Sequence, residues 1–230
     1  MDLRYSRQTA LGGFGEESLR LLADSRVLVV GAGGVGSALL PLLAGAGVGR
    51  IDVADFDSVS ISNLHRQTLY TQAQVGLPKA REAAQRLAMI NSEISVCAVE
   101  KKLSCPADIS PLLDGVDLCL DATDSFASRI MISDACAAAN VREIACCAGG
   151  YTSQMFVLGG GLKFSDFASD ADAAGEGSRG LPIFGPAAHL SGVWGAGYAL
   201  QVLAKARAFE AGYIRSFDFA TDKYMSVRLA

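Results

Sequence analysis

A basic excess, paired cysteines and a leading apolar segment are all missing from this 230-residue chain. Only 19% of the residues are charged, the net charge is −4 and the pI is near 5.2. A surface that neutralises many phosphates needs a surplus of Lys and Arg, so a nucleic acid is not expected as the main partner. A local cluster of cations for one small anion is still allowed.

The six cysteines are Cys97, Cys105, Cys119, Cys136, Cys146 and Cys147, and no two form a Cys-x-x-Cys pair. That spacing gives no support to a zinc site or a thioredoxin-like motif. Adjacent Cys146 and Cys147 are poorly placed for an ordinary disulfide, and a core role is expected for both. The first residues, Met-Asp-Leu-Arg-Tyr-Ser-Arg-Gln, show no apolar signal region. A reducing, cytoplasmic setting follows as the expectation. Residues 27–49 and 180–204 are free of Asp, Glu, Lys and Arg and exceed the ~18 apolar residues usually read as a span. Gly and Pro interrupt both, so no membrane segment is expected.

What the chain does have is hydrophobic residues at 50% and 25 glycines, a balance suited to an α/β protein with many turns. The length suits one domain over 1–230: a motif-bearing core to residue 160, a divergent mobile loop at 161–180, and a closing helix and strands at 181–230. Strands are expected at 27–30, 51–54, 94–99, 117–120 and 141–147. Helices are expected at 16–23, from Ser37 onward, and at 78–91, 126–139 and 187–208. Pro41 should kink or shorten the second of these helices. One or two closing strands fall in 216–229. Alternating strands and helices predict a Rossmann-like, mostly parallel sheet flanked by helices, with closing strands at the C-terminus.

The strand at 27–30 runs into Gly31-Ala32-Gly33-Gly34-Val35-Gly36. Glycines there allow a tight turn and a close backbone approach, and the helix that follows presents its N-terminus to a phosphate. Asp55 ends the next strand, where a carboxylate can accept bonds from ribose hydroxyls. This much fits NAD and ATP equally. Downstream, Ser62-Asn63-Leu64-His65-Arg66-Gln67 and Lys79 add two cations near helix starts, which suits a triphosphate better than a diphosphate. By spacing alone Lys79 could equally be a solvated surface residue. In Asp121-Ala122-Thr123-Asp124-Ser125, Asp121 falls within a strand and Asp124 at its carboxyl edge, where it could hold Mg²⁺. Asp124 or Ser125 could instead cap the helix from Phe126, and Arg129 could be a surface cation. His189 and Trp194 have no readable role.

Taken together, the residues resemble the ThiF/MoeB/HesA-type adenylyltransferases, relatives of the ubiquitin-activating enzymes. The matching pieces are Arg4-Tyr5-Ser6-Arg7-Gln8, the Gly31 to Gly36 loop, Asp55-Phe56-Asp57, Asn63-Leu64-His65-Arg66-Gln67, Val75-Gly76-Leu77-Pro78-Lys79 and Thr123-Asp124-Ser125. They stand in the family order. The resemblance implies that Gly31, Gly33, Gly34 and Gly36 approach the phosphates and that Asp55 takes the ribose. It implies that Ser62, Asn63, Arg66, Gln67, Lys79 and Ser125 line the nucleotide, with Asp124 holding Mg²⁺. Arg7, Arg66, Lys79 and Asp124 are the implied catalytic set, Arg7 reaching a second subunit's site across a homodimer. The implied reaction is adenylation of a carboxylate at the C-terminus of a small ubiquitin-like sulfur-carrier protein, with release of pyrophosphate.

The chain departs from the pattern in three places. It lacks the two Cys-x-x-Cys pairs of many relatives, so no zinc is expected. No Cys follows Cys147, and the usual Asn after Asp124 is Ser125. These departures keep open a specialised peptide or metabolite substrate. A NAD-dependent oxidoreductase and a non-catalytic scaffold are the more distant alternatives.

Overall fold

Alternation along β1 (Arg26–Val30) decides which helices cover which face of the sheet. In the computed structural model, which describes residues 3–168 and 182–228, Val27 and Val29 join one core and Leu28 and Val30 another. The first core takes Leu39, Leu40 and Leu43 from α3 (Gly34–Ala46), Ala83 and Leu87 from α4 (Lys79–Ile90), and Ala196 and Ala199 from α7 (Gly185–Leu203). The second takes Ile109 from α5 (Pro106–Ile109) and Ile132, Ala135 and Cys136 from α6 (Phe126–Ala138). The short N-terminal helices are α1 (Ser6–Thr9) and α2 (Glu16–Ala23).

The remaining strands are β2 (Arg50–Ala54), β3 (Ser95–Val99), β4 (Leu118–Asp121), β5 (Glu143–Gly149), β6 (Thr152–Leu158), β7 (Tyr213–Asp218) and β8 (Lys223–Arg228). They form one eight-stranded sheet in the order β3-β2-β1-β4-β5-β6-β7-β8. Strands β1 to β5 pair in parallel, and β5 to β8 continue as an antiparallel meander. The chain winds outward from β1 to β3, then returns to the other side of β1 at β4. The connections after β1 and β4 therefore leave in opposite directions and open a crevice at their carboxyl ends.

This is the expected Rossmann-like sheet, with a larger antiparallel part than the sequence suggested. β6 went unassigned because its Met-Phe-Val-Leu end is buried without alternation, which removes the period-2 signal. Helix α3 starts at Gly34, ahead of the expected Ser37, and Pro41 does not shorten it. Burial of Leu39, Leu40, Leu43 and Ala44 holds the helix through that position. α7 presses close to α3 and the sheet because Gly192 and Gly195 present no side chain. A Cβ at 192 would stand 2.4 Å from the Val35 carbonyl oxygen, and one at 195 would stand 2.3 Å from Cys146 Sγ. The expected loop at 161–180 lies, from residue 169 on, outside the described residues. Its start is docked, with Phe164 buried and its N–H donated to Ser133 Oγ at 2.8 Å. Residues 27–49 divide into β1, the glycine loop and α3, and among the described residues no helix is long and apolar enough to cross a membrane.

Candidate active site

The glycine loop lies at the crevice between β1 and β4. Gly31 has φ +98, and a Cβ there would meet the Ala122 carbonyl oxygen at 2.6 Å, so both conformation and space require glycine. Gly33 is the N-cap of α3 and no side chain caps the helix. Its first-turn N–H groups are left for a ligand at the positive end of the helix dipole. Arg66 and Ala188 pack against Gly34, where a Cβ would lie 3.3 and 3.1 Å from their side chains. Gly36 does not face the crevice. It lets α3 close beneath the loop, 2.5 Å being the distance from its Cβ position to the Gly31 carbonyl oxygen.

Asp55 stands at the end of β2 and holds the loop from its side. Its Oδ2 accepts the Ala32 N–H at 2.8 Å and its Oδ1 the Asp57 N–H at 2.9 Å. Burial pushes its carboxyl above the ordinary range, against the pull of the Lys79 ammonium and the two backbone donors. A carboxylate keeps acceptor capacity beyond these two bonds.

Lys79 is buried at 4% exposure, which overturns the reading of a solvated surface lysine. A local pairing brings it in: Ser58 bridges Pro78, and the Val59 N–H is donated to the Leu77 carbonyl at 2.9 Å. Lys79 then meets Asp57 twice, through its N–H to the Asp57 carbonyl at 2.9 Å and through Nζ to Oδ2 at 3.0 Å. Buried Tyr70 donates its hydroxyl to the Ala32 carbonyl at 2.8 Å and lies 3.3 Å from that of Lys79, tying the glycine loop to the start of α4.

Asp121 is the last residue of β4 and is fully buried. Its Oδ1 accepts the N–H and hydroxyl of Thr123 at 2.8 and 2.7 Å. Ser125 is the helix cap, its Oγ accepting the Ser128 N–H at 3.2 Å. Asp124, relieved of that task, is exposed at the crevice. Arg129 is not a surface cation: it is buried, donates to the Thr123 carbonyl at 2.6 Å and lies over the Phe126 ring.

These parts enclose a cavity of about 860 Å³. Gly31, Gly33, Gly34, Asp55, Ser62, Asn63, Arg66, Gln67, Lys79, Asp124 and Ser125 all line it, whereas Gly36 and Arg7 do not. Arg7 sits in α1, whose neighbour Gln8 donates Nε2 to the carbonyl of Ala46, the last residue of α3. That is the opposite end of α3 from the cavity, about 20 Å away at 1.5 Å per residue.

The family model described as "ThiF family" matches residues 5–230. The chain belongs to the ThiF family. Among the relatives it resembles is the molybdopterin-synthase adenylyltransferase of Salmonella typhimurium, 47% identical over 139 residues. That alignment takes in 60% of this chain and 55% of the relative, so the chain spans about half the length of such relatives. The sulfur carrier protein ThiS adenylyltransferase of Escherichia coli is 34% identical over 229 residues, 99% of this chain and 91% of that one. In fold the chain resembles E. coli MccB solved with ATP, at a TM-score of 0.87 and 21% identity, covering all of this chain and 72% of the other.

Several cavity residues of this ThiF-family chain were given no role from the sequence, although Phe56 and Asp57 stand in its Asp55-Phe56-Asp57 motif. Asp57 and Lys101 carry charge there, and Phe56, Leu103 and Met131 add apolar surface. Lys101 Nζ is held 2.7 Å from Asp108 Oδ1. His189, without a readable role in sequence, hydrogen-bonds through Nε2 with the Arg66 carbonyl at 2.9 Å and so fixes the turn that presents the Arg66 side chain. Beside that side chain, His65 Nε2 lies 2.8 Å from Arg66 Nη1. Among the described residues no three His, Cys, Asp or Glu side chains gather as a metal-ligand group. Asp124, exposed at the crevice, still suits Mg²⁺, which commonly takes one or two carboxylates with substrate phosphates and water.

Proposed function

We propose that this chain adenylates a carboxylate with ATP, the substrate being the C-terminus of a small ubiquitin-like sulfur-carrier protein. The observation that carries the reading is the convergence of Arg66, Lys79 and Asp124 on one cavity around the uncapped start of α3. A buried ammonium at a helix N-terminus opposes the dipole, at a cost of roughly 0.3–1 kcal/mol, and the phosphates of ATP would offset it. In this reading the α3 N-terminus and Gly33–Gly34 hold the phosphates, and Asp55 accepts the ribose hydroxyls. Ser62, Asn63, Gln67 and Ser125 complete the nucleotide's surroundings. Arg66 and Lys79 neutralise the charge that grows on the departing pyrophosphate. Asp124 would hold Mg²⁺, which supplies further charge neutralisation.

A carboxylate oxygen attacks the α-phosphorus while the bond from that phosphorus to the bridging oxygen breaks. An acyl adenylate and pyrophosphate result. No proton moves and no protein nucleophile is needed, so rate acceleration comes from positioning and charge stabilisation. Arg7, remote from its own cavity, would act in the cavity of a second copy in a homodimer. A cytoplasmic location belongs to the same proposal. A peptide or small metabolite carboxylate is the second candidate substrate, favoured by the absence of Cys-x-x-Cys pairs.

The test is exchange of labelled pyrophosphate into ATP. Arg66→Ala, Lys79→Ala and Asp124→Ala should each reduce it on the order of 10²-fold or more with the melting temperature of the free protein little changed for the exposed Asp124. Exchange at the wild-type rate in all three would overturn the assigned roles. A quench or shift of NADH fluorescence on mixing would point instead to a nicotinamide cofactor.

A further inference from the structure

Residues 4–8 dock on the chain's own helix ends one side chain at a time. Arg4 donates Nη1 to the Ile90 carbonyl at 2.9 Å and lies 3.8 Å from Glu93. Tyr5 donates its hydroxyl to Glu93 Oε2 at 3.0 Å and accepts Asn91 Nδ2–H at 2.8 Å. Its ring fills the space over Gly47, where a Cβ would stand 3.0 Å from the ring. Gln8 donates to the Ala46 carbonyl at 3.1 Å. Asn91 is the hub. It is fully buried, donates also to the Ala44 carbonyl at 2.9 Å, and accepts the Glu93 N–H at 3.1 Å. Arg7 is the exception: it is exposed and makes no ion pair or side-chain hydrogen bond among the described residues.

We propose that Tyr5 and Asn91 are positioning residues that form a latch across the C-terminal ends of α3 and α4, holding Arg7 out toward the cavity of a second copy. The proposal rests on the reading that Arg7 serves its partner's site. The latch fixes the exit direction of α1, a helix of only four residues that has no stability of its own. Its members lie a full helix length from the chain's own cavity, so their influence passes through Arg7 to the other subunit.

The experiment uses full-length chains and pyrophosphate–ATP exchange, with purified heterodimers obtained through two different tags. Tyr5→Phe removes one oxygen at the periphery and should lower kcat about tenfold. Asn91→Ala should lower it on the order of 10²-fold, as a displaced catalytic group does. KM for ATP should stay within about twofold in both, because only the reacting state is touched. Adding Tyr5→Phe to Arg7→Ala should cost nothing further, since the two act as one unit. A heterodimer of Asn91→Ala with Asp124→Ala should recover about half the wild-type rate, one of its two sites having both an intact Asp124 and an intact latch opposite. A heterodimer of Asn91→Ala with Arg7→Ala should not recover. Wild-type kcat in Tyr5→Phe, or no recovery with Asp124→Ala, overturns the latch. An inactive heterodimer of Arg7→Ala with Asp124→Ala overturns instead the reading that Arg7 acts across the dimer.

Discussion

Lys79 Nζ lies 3.0 Å from Asp57 Oδ2, and the two residues also share a backbone hydrogen bond of 2.9 Å. The lysine is buried while the aspartate side chain is 52% exposed. Asp57 is thus the removable half of the pair, able to swing toward water when a better anion arrives. Asp57→Asn should lower the stability of the free protein by about 1–3 kcal/mol, less than a fully buried pair would lose because water reaches the carboxylate. Mg-ATP should then raise the melting temperature more in Asp57→Asn than in wild type, since phosphates resupply the missing charge. Thermal melts with and without nucleotide check this. Equal shifts would mean that Lys79 does not meet the phosphates.

Glu143 begins β5 and is buried at 1% exposure. Burial pushes its carboxyl well above the ordinary value of 4.5, and the negative charge of nearby Asp121 pushes it further. The folded state then keeps a proton that the unfolded chain has lost. Stability is full below about pH 4.5 as far as this group is concerned, and it falls as pH rises toward the folded-state value. Each pH unit in that window costs up to about 1.4 kcal/mol. Glu143→Gln should flatten that fall and raise the melting temperature at neutral pH and above. Urea titrations at several pH values measure it, and an unchanged slope would show that Glu143 is ionised in the folded protein.

Gly195 faces Cys146 Sγ, with 2.3 Å left for a Cβ. Gly195→Ala should destabilise by about 1–3 kcal/mol through overpacking between α7 and the sheet. In a Cys146→Ala background the sulfur is gone, and the same change should be nearly neutral or stabilising because Ala favours helix. A double-mutant cycle should therefore show coupling of at least about 1 kcal/mol. Additive effects would mean that α7 shifts away rather than holding its place.

The parts of the site readable in sequence were those whose chemistry is local. The Gly31 to Gly36 run, Asp55 at a strand end and Asp124 at another are each set by a strand and its next turn, so spacing locates them. What pairs with what was not readable. Asp57 reaches Lys79 through a bridge between Ser58 and Pro78, twenty residues apart, and a period of 2 or 3.6 carries no trace of such a pairing. Arg129 and Lys79 are charged residues that tertiary contacts bury, against the ordinary preference of their type. Asp124 and Ser125 looked interchangeable as caps, and only backbone geometry gave the cap to Ser125. β6 was lost for the opposite reason, since continuous burial erases the alternation that marks a strand.

In the proposed reaction a carboxylate cleaves ATP at its α-phosphorus. Incorporation of labelled pyrophosphate into ATP, measured with purified chain, Mg²⁺ and a small ubiquitin-like carrier ending in a free carboxylate, tests it most directly. Exchange should depend on the carrier, disappear when its C-terminus is amidated, and be lost with Lys79→Ala. Exchange absent with every carboxylate-terminated carrier, peptide and metabolite offered would contradict the proposed reaction.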